Sequence, residues 1–258
     1  MDLVSTVLWG VAIISLAGLV AAAGATVMQR LVPVQMRKSH NVAIGIIYGG
    51  LYVLFGVMVG FTAFLVLDKY NVAQETVQSE AGEVEELHDL AGHLPEPERG
   101  RVQESVAAYV HAVVDEEWPL MGEGRASPRV EELADELRAE LQGFRPTTSA
   151  EQVLYAQAIE VIGDLEANRD VRLVYAREGL PPVLWVALTG LSIIMLFFSF
   201  LVGMENGNLH RLMVSALAAG IVLVLFTIGI LDRPFGTEFR VGPEPFELVM
   251  SEIGENHE

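Results

Sequence analysis

The chain has 258 residues, 52% of them hydrophobic, and its 34 Asp and Glu against 16 Lys and Arg give a formal net charge of −18. Without cysteine it can form neither disulfides nor Cys-ligated zinc sites, and the acidic excess disfavours nucleic acid, whose binding rests on basic contacts to phosphate. Residues 3–29, 39–67, 179–204 and 212–231 contain no Asp, Glu, Lys or Arg, so every formal charge lies outside them. Segments of that length and composition predict four membrane-crossing helices.

The first apolar segment is preceded only by Met1-Asp2, with no basic residue. Ala21-Ala22-Ala23-Gly24-Ala25 looks like a signal-peptide cleavage site, but the apolar run is too long for one, and a retained helix is expected. Arg30, Arg37 and Lys38 follow, without an acid among them. By the positive-inside rule this loop is cytoplasmic, which places both termini and the central segment outside.

The second segment, residues 41–67, is 27 residues long and free of Asp, Glu, Lys, Arg and His. At about 100° per residue, Asn41, Tyr48, Tyr52 and Val59 share a narrow arc with Thr62 at its edge. Beside them runs a stripe of Gly45, Gly49, Gly56 and Gly60, whose GxxxG spacing lets another backbone approach closely. Two readings stay open for the polar arc: packing inside a helix bundle, or lining a water-filled path. The expectation taken forward is that the glycines pack on a neighbouring helix. Asn41, Tyr48, Tyr52, Val59 and Thr62 then face a pore.

Nothing between Leu67 and Val72 breaks a helix, so the second span is expected to run on into the central segment, residues 68–180. Four amphipathic stripes follow there. They are carried by Val77 to Leu94, Val102 to Leu120, Val130 to Leu141 and Val153 to Leu165. Ser127 before Pro128, and Thr148 three residues before Glu151, signal helix starts. The predicted fold is an all-α integral membrane protein. Transmembrane helices one and two occupy residues 1–67, and helices three and four residues 181–231. An acidic extracytoplasmic four-helix bundle is inserted between helices two and three, with an extracytoplasmic tail at 232–258. Gly179-Leu180-Pro181-Pro182 should interrupt the chain before the third span. In the tail, the apolar patch from Phe246 to Ile253 is expected to pack on the bundle, and residues 254–258 to be mobile.

In order along the chain stand His40-Asn41, Glu117-Trp118-Pro119, Arg172 and Arg177 before Gly179-Leu180-Pro181 and Trp185, His210, and Asp232-Arg233-Pro234-Phe235-Gly236. This set resembles the bacterial bestrophin-like family of unknown function, over most of residues 40–246. The resemblance implies a bacterial plasma-membrane protein akin to bestrophins, which are anion channels.

The residues themselves argue for a different selectivity. Residues 68–178 carry a net charge of −15, and no Lys or Arg lies within a span. Asp68 and Asp232 are expected at the outer mouth, where negative charge concentrates cations. His40 and His210 fall at the same inner depth and are candidates for the opposite mouth. Of the remaining histidines, His88, His93 and His111 read as surface residues of the bundle, and His257 lies in the tail. Asp115-Glu116-Glu117, with Glu83 and Glu86, could offer oxygens to a hard cation such as Ca²⁺, although no EF-hand spacing exists. Pairing of Glu117 with Arg172 or Arg177 competes with that reading. No cofactor is required, and no nucleophile elbow, HExxH, P-loop or dinucleotide motif points to an enzyme. Four spans are few for one subunit to enclose a path, so a homo-oligomer in a lipid bilayer conducting inorganic ions is the leading expectation, with the bundle as a candidate gate. The alternative is a non-conducting sensor or scaffold whose acidic bundle binds an extracytoplasmic partner.

Overall fold

The structure, a computed structural model, describes residues 3–236 and 241–255. Among these, every regular element is helical. Met1-Asp2 and His257 lie outside the described residues, as do the last three residues of the tail.

Helix α1 is Leu3–Leu31, α2 Val34–Ser39, α3 Asn41–Gly92 and α4 Glu98–Ala112. A π-helical turn, Val113–Glu117, joins α4 to α5, Trp118–Met121. Then come α6 Pro128–Gly143, α7 Ser149–Arg177, α8 Pro182–Leu201, α9 Gly207–Leu231 and α10 Glu244–Glu255. Four helices are long and apolar enough to cross a membrane. As expected, α3 is unbroken for 52 residues, while the chain breaks between Arg177 and Pro182. Both cap signals are real: Ser127 Oγ accepts from the Val130 N–H, and Thr148 with Glu151 forms a capping box. The glycine at the α5–α6 turn is required there, since Gly124 has φ +72°.

The chain divides into two compact units. The first comprises residues 1–68 and 180–232. Here α1 and α9 lie along one another, with Ala21 and Ala25 buried against Val214 and Ala218. Small residues permit the approach: Ser215 Oγ donates to the Gly18 carbonyl at 2.9 Å, and a Cβ on Gly10 would meet the Phe226 ring at 2.7 Å. A second cluster joins Val66, Leu180, Leu188 and Ile228. Most other apolar side chains on these helices are exposed, as lipid-facing surfaces require.

The second unit comprises residues 69–179 and 233–258. The later part of α3 packs with α4, α6 and α7 around a common apolar core. That core also takes in Phe246, Val249 and Ile253 of α10, so the tail patch does dock on the bundle. The α3 stripe is regular: Ala73, Val77, Glu80, Val84, Leu87 and Ala91 alternate steps of four and three, and all are buried. Glu80 therefore occupies a core position.

Candidate functional site

In the bundle, four core positions carry charge. On α7 the buried stripe Ala158, Ile162, Leu165 continues as Arg169 and Arg172, and α4 presents Val102, Val106 and Tyr109. The π turn follows from Pro119. It has no N–H for the Asp115 carbonyl and its ring crowds that turn, so the ladder widens just before it. The widened turn points Glu117 inward while Asp115 and Glu116 stay exposed.

Arg172, fully buried, donates through Nη2 to Glu80 Oε1 and Glu117 Oε2, each at 2.8 Å, and through Nε to the other Glu80 oxygen. Arg169 donates to Glu117 Oε1 at 2.8 Å and to Glu131 at 2.8 Å. Tyr109 Oη donates to Glu80 at 2.8 Å, and the Ser127 N–H to Glu117 at 3.1 Å. Two buried carboxylates thus face two buried guanidiniums, a balanced set in which each acid oxygen has a donor. The Arg172 guanidinium also lies 5.4 Å from the Trp118 ring and 5.8 Å from that of Phe246. Phe235 stacks edge-on against Trp118 at 5.9 Å.

Burial pushes the Glu117 carboxyl up, but Arg172 and Arg169 overcome it and hold the group below the usual carboxylate range. Burial also raises the Tyr109 hydroxyl, aided by Glu80. Arg177, by contrast, is exposed and stays outside the network. Motif residues distant in sequence, Glu117, Trp118, Arg172 and Phe235, therefore meet in one core.

This geometry corrects the cation-site expectation. Both Glu117 oxygens are held by arginines, Glu83 accepts from Asn168 at 2.6 Å, and Glu86 accepts from Gln157 at 2.9 Å. Among the described residues no three His, Asp or Glu side chains are grouped to hold a metal ion. His88 is also corrected: it is buried, whereas His93 and His111 are exposed.

In the membrane unit, the arc of α3 is oriented differently from expectation. Asn41 donates to the Gly203 carbonyl at 2.9 Å and accepts from the Gly203 N–H at 2.8 Å. Arg37, itself buried, donates to the Phe200 and Val202 carbonyls at the end of α8. Gly203 is obligatory, because a Cβ there would stand 2.4 Å from the Lys38 nitrogen. Lys38 in turn pairs with Glu205. Tyr48 and Tyr52 share a hydroxyl contact at 3.1 Å and line a cleft of about 110 Å³ with Ser199, His210, Met213 and Leu217. Val59 packs on the Val66 cluster, and Thr62 is fully buried. So Asn41, Tyr48 and Val59 are occupied with α8, α9 and their connecting turn, Thr62 is buried, and only Tyr52 of the set is exposed.

The glycines are the uncovered face. A Cβ added at Gly45, Gly49, Gly56 or Gly60 would meet nothing within 4 Å, so among the described residues no helix fills the groove. At the helix ends, His210 is buried with Nδ1 against Gln29 at 3.1 Å and Nε2 against the Ser199 carbonyl at 3.0 Å. His40 is exposed and turned to the Met36 carbonyl, so the two histidines form no common mouth. Asp68 is exposed, but Asp232 is buried, accepting from the Leu180 N–H and from Trp185 Nε1 at 3.3 Å. It fixes the α7–α8 break to the end of α9 and is not an open vestibule charge.

Regular elements that are all helical among the described residues, four of them of membrane-crossing length, with a second helical unit inserted between two of these, define the class. The model of the Bestrophin-like domain matches residues 15–246, and the chain belongs to that family. Among solved structures, a variant of a bacterial bestrophin homologue from Klebsiella pneumoniae superposes with a TM-score of 0.68 at 12% identity, covering 94% of this chain and 97% of that one. Another structure of a Klebsiella pneumoniae homologue gives 0.65 at 12% identity, with 97% and 96% covered. A membrane-protein crystal structure gives 0.64 at 12%, with 93% and 96% covered. At such identities the likeness speaks for the fold. Among curated proteins no relative matches.

Proposed function

We propose that the chain is one subunit of an ion-conducting homo-oligomer in the bacterial plasma membrane, with α3 at or beside the subunit axis. The observation that carries this reading is the uncovered glycine face of α3, Gly45, Gly49, Gly56 and Gly60. Small residues at this spacing are suited to close helix contact, which on this reading comes from another copy. Kinship with bestrophin homologues supports conduction. The basic residues Arg30, Arg37 and Lys38 support a cytoplasmic α1–α3 connection, with both termini and the bundle outside.

Cation preference is the selectivity we favour. The −15 charge of residues 68–178 follows α3 directly in the chain, Asp68 is exposed, and the spans hold no Lys or Arg for an anion. Because α3 is one continuous helix, the bundle is suited to gate the span it extends. A second reading, a non-conducting sensor or scaffold, draws support from the apolar neighbours of the glycines, Ile46, Val53 and Val57, which are exposed. Reconstitution in planar bilayers under a KCl gradient separates these readings. A reversal potential near that of K⁺ is expected. One that follows chloride overturns the selectivity, and the absence of current overturns conduction.

A further inference from the structure

We propose that Glu83 is a proton-dependent contact between α3 and α7: the bundle is packed around its neutral carboxyl, and ionisation loosens that seam. The inference is independent of ion conduction. Glu83 sits on the flank of the α3 core stripe, one residue before buried Val84. Its Oε1 accepts from Asn168 Nδ2 on α7 at 2.6 Å. Its Oε2 is buried and has no hydrogen-bond partner. A buried neutral hydroxyl without a partner costs far less than a buried charge without one.

Among the described residues no Lys or Arg forms an ion pair with Glu83. Facing Glu83 are Asp164 and Asn168 from α7 and Glu80 and Glu86 from its own helix. The buried arginines are committed elsewhere, Arg172 to Glu80 and Glu117, Arg169 to Glu117 and Glu131. Gln157 of α7 donates to Glu86. Burial first, and then repulsion from Asp164, Glu80 and Glu86, outweighs the Asn168 hydrogen bond and pushes the Glu83 carboxyl up to about 7. The folded chain therefore binds more protons than the unfolded one between about 4.5 and about 7. Over that window its contribution to stability falls as pH rises, and above it the loss is complete. The seam lies on the same uninterrupted helix that carries residues 41–67.

The test compares thermal unfolding of the full-length wild type and Glu83→Gln in detergent at steps from pH 5 to pH 9. The expected difference in Tm is near zero at pH 5 and grows to several degrees in favour of the variant above pH 8. A second variant, Asp164→Asn, removes one repelling charge and should move the midpoint of the wild-type decline to lower pH. It keeps the proposal testable should Glu83→Gln fail to fold. A Tm difference that does not change with pH, or a midpoint unmoved by Asp164→Asn, overturns it.

Discussion

Arg172 and Glu117 are bonded at 2.8 Å inside the bundle, and neither side chain is exposed to solvent. The same guanidinium holds Glu80, so one arginine on α7 ties α3 to the π turn. Such a pair is weak evidence for stability in itself, but breaking it strands a charge. Arg172→Ala leaves Glu80 with the Tyr109 hydroxyl as a donor but without the guanidinium that offsets its charge in a dry core. It should cost about 3–5 kcal/mol and unfold the bundle at physiological temperature. Arg177→Ala, at an exposed site, should cost less than about 0.5 kcal/mol. Thermal melts of the two variants side by side check this contrast; equal effects would show that the buried network is not what holds α7.

Acid should weaken the same network. The Glu117 carboxyl is held below its ordinary value of 4.5, so its contribution is fully present above that value and lost as pH falls through the lowered one. The sign is opposite to that of Glu83. Denaturant unfolding between pH 5 and pH 3 should show a steeper loss in wild type than in Glu117→Gln, which has no carboxyl left to protonate.

At the opposite end of α3, Asn41 and Gly203 form one contact. Gly203→Ala puts a methyl against the backbone of Arg37 and Lys38, which has no flexible end to yield. Asn41→Ala removes both hydrogen bonds to Gly203. Each should cost about 1–3 kcal/mol. Because they break the same contact, the double variant should cost clearly less than the sum. Additive losses in the double-mutant cycle would separate the two residues.

The α3 glycines behave in the opposite way. A Cβ at Gly49 or Gly56 meets nothing within 4 Å among the described residues, and leucine is the better helix former. The protomer should fold with undiminished helicity, while cross-linking in membranes should show association lost. Variants that assemble normally would place the subunit contact elsewhere.

Much of this arrangement was legible in the sequence. Charge-free runs marked the four spans, the unbroken stretch after Leu67 marked the length of α3, and Gly179 to Pro182 marked the break. Ser127, Thr148 and Glu151 marked their helix starts. The pairing of Glu117 with Arg172 was one of two open readings, since a buried acid requires a partner. Glu80, Arg169 and Tyr109 were missed, though a signal existed. Each falls on the four-and-three stripe of its helix, and a charge on such a stripe marks a buried polar network. The orientation of α3 was misread for a different reason. Periodicity shows that Asn41, Tyr48 and Val59 share a face, but not which neighbour that face meets. The neighbour is the α8–α9 region, which leaves the glycine stripe free. The acid clusters misled in the same way, because spacing along a helix does not reveal that Glu117 turns inward while Asp115 and Glu116 turn out.

The central claim is that α3 presents its glycine face to other copies around an ion path. Its most direct test is current through the purified protein in planar bilayers, wild type against Gly56→Leu. Unitary cation currents are expected in wild type and their loss in the variant, with the variant protomer still folded. Wild-type protein that reconstitutes as an oligomer and passes no current, or a Gly56→Leu variant that conducts like wild type, would contradict it.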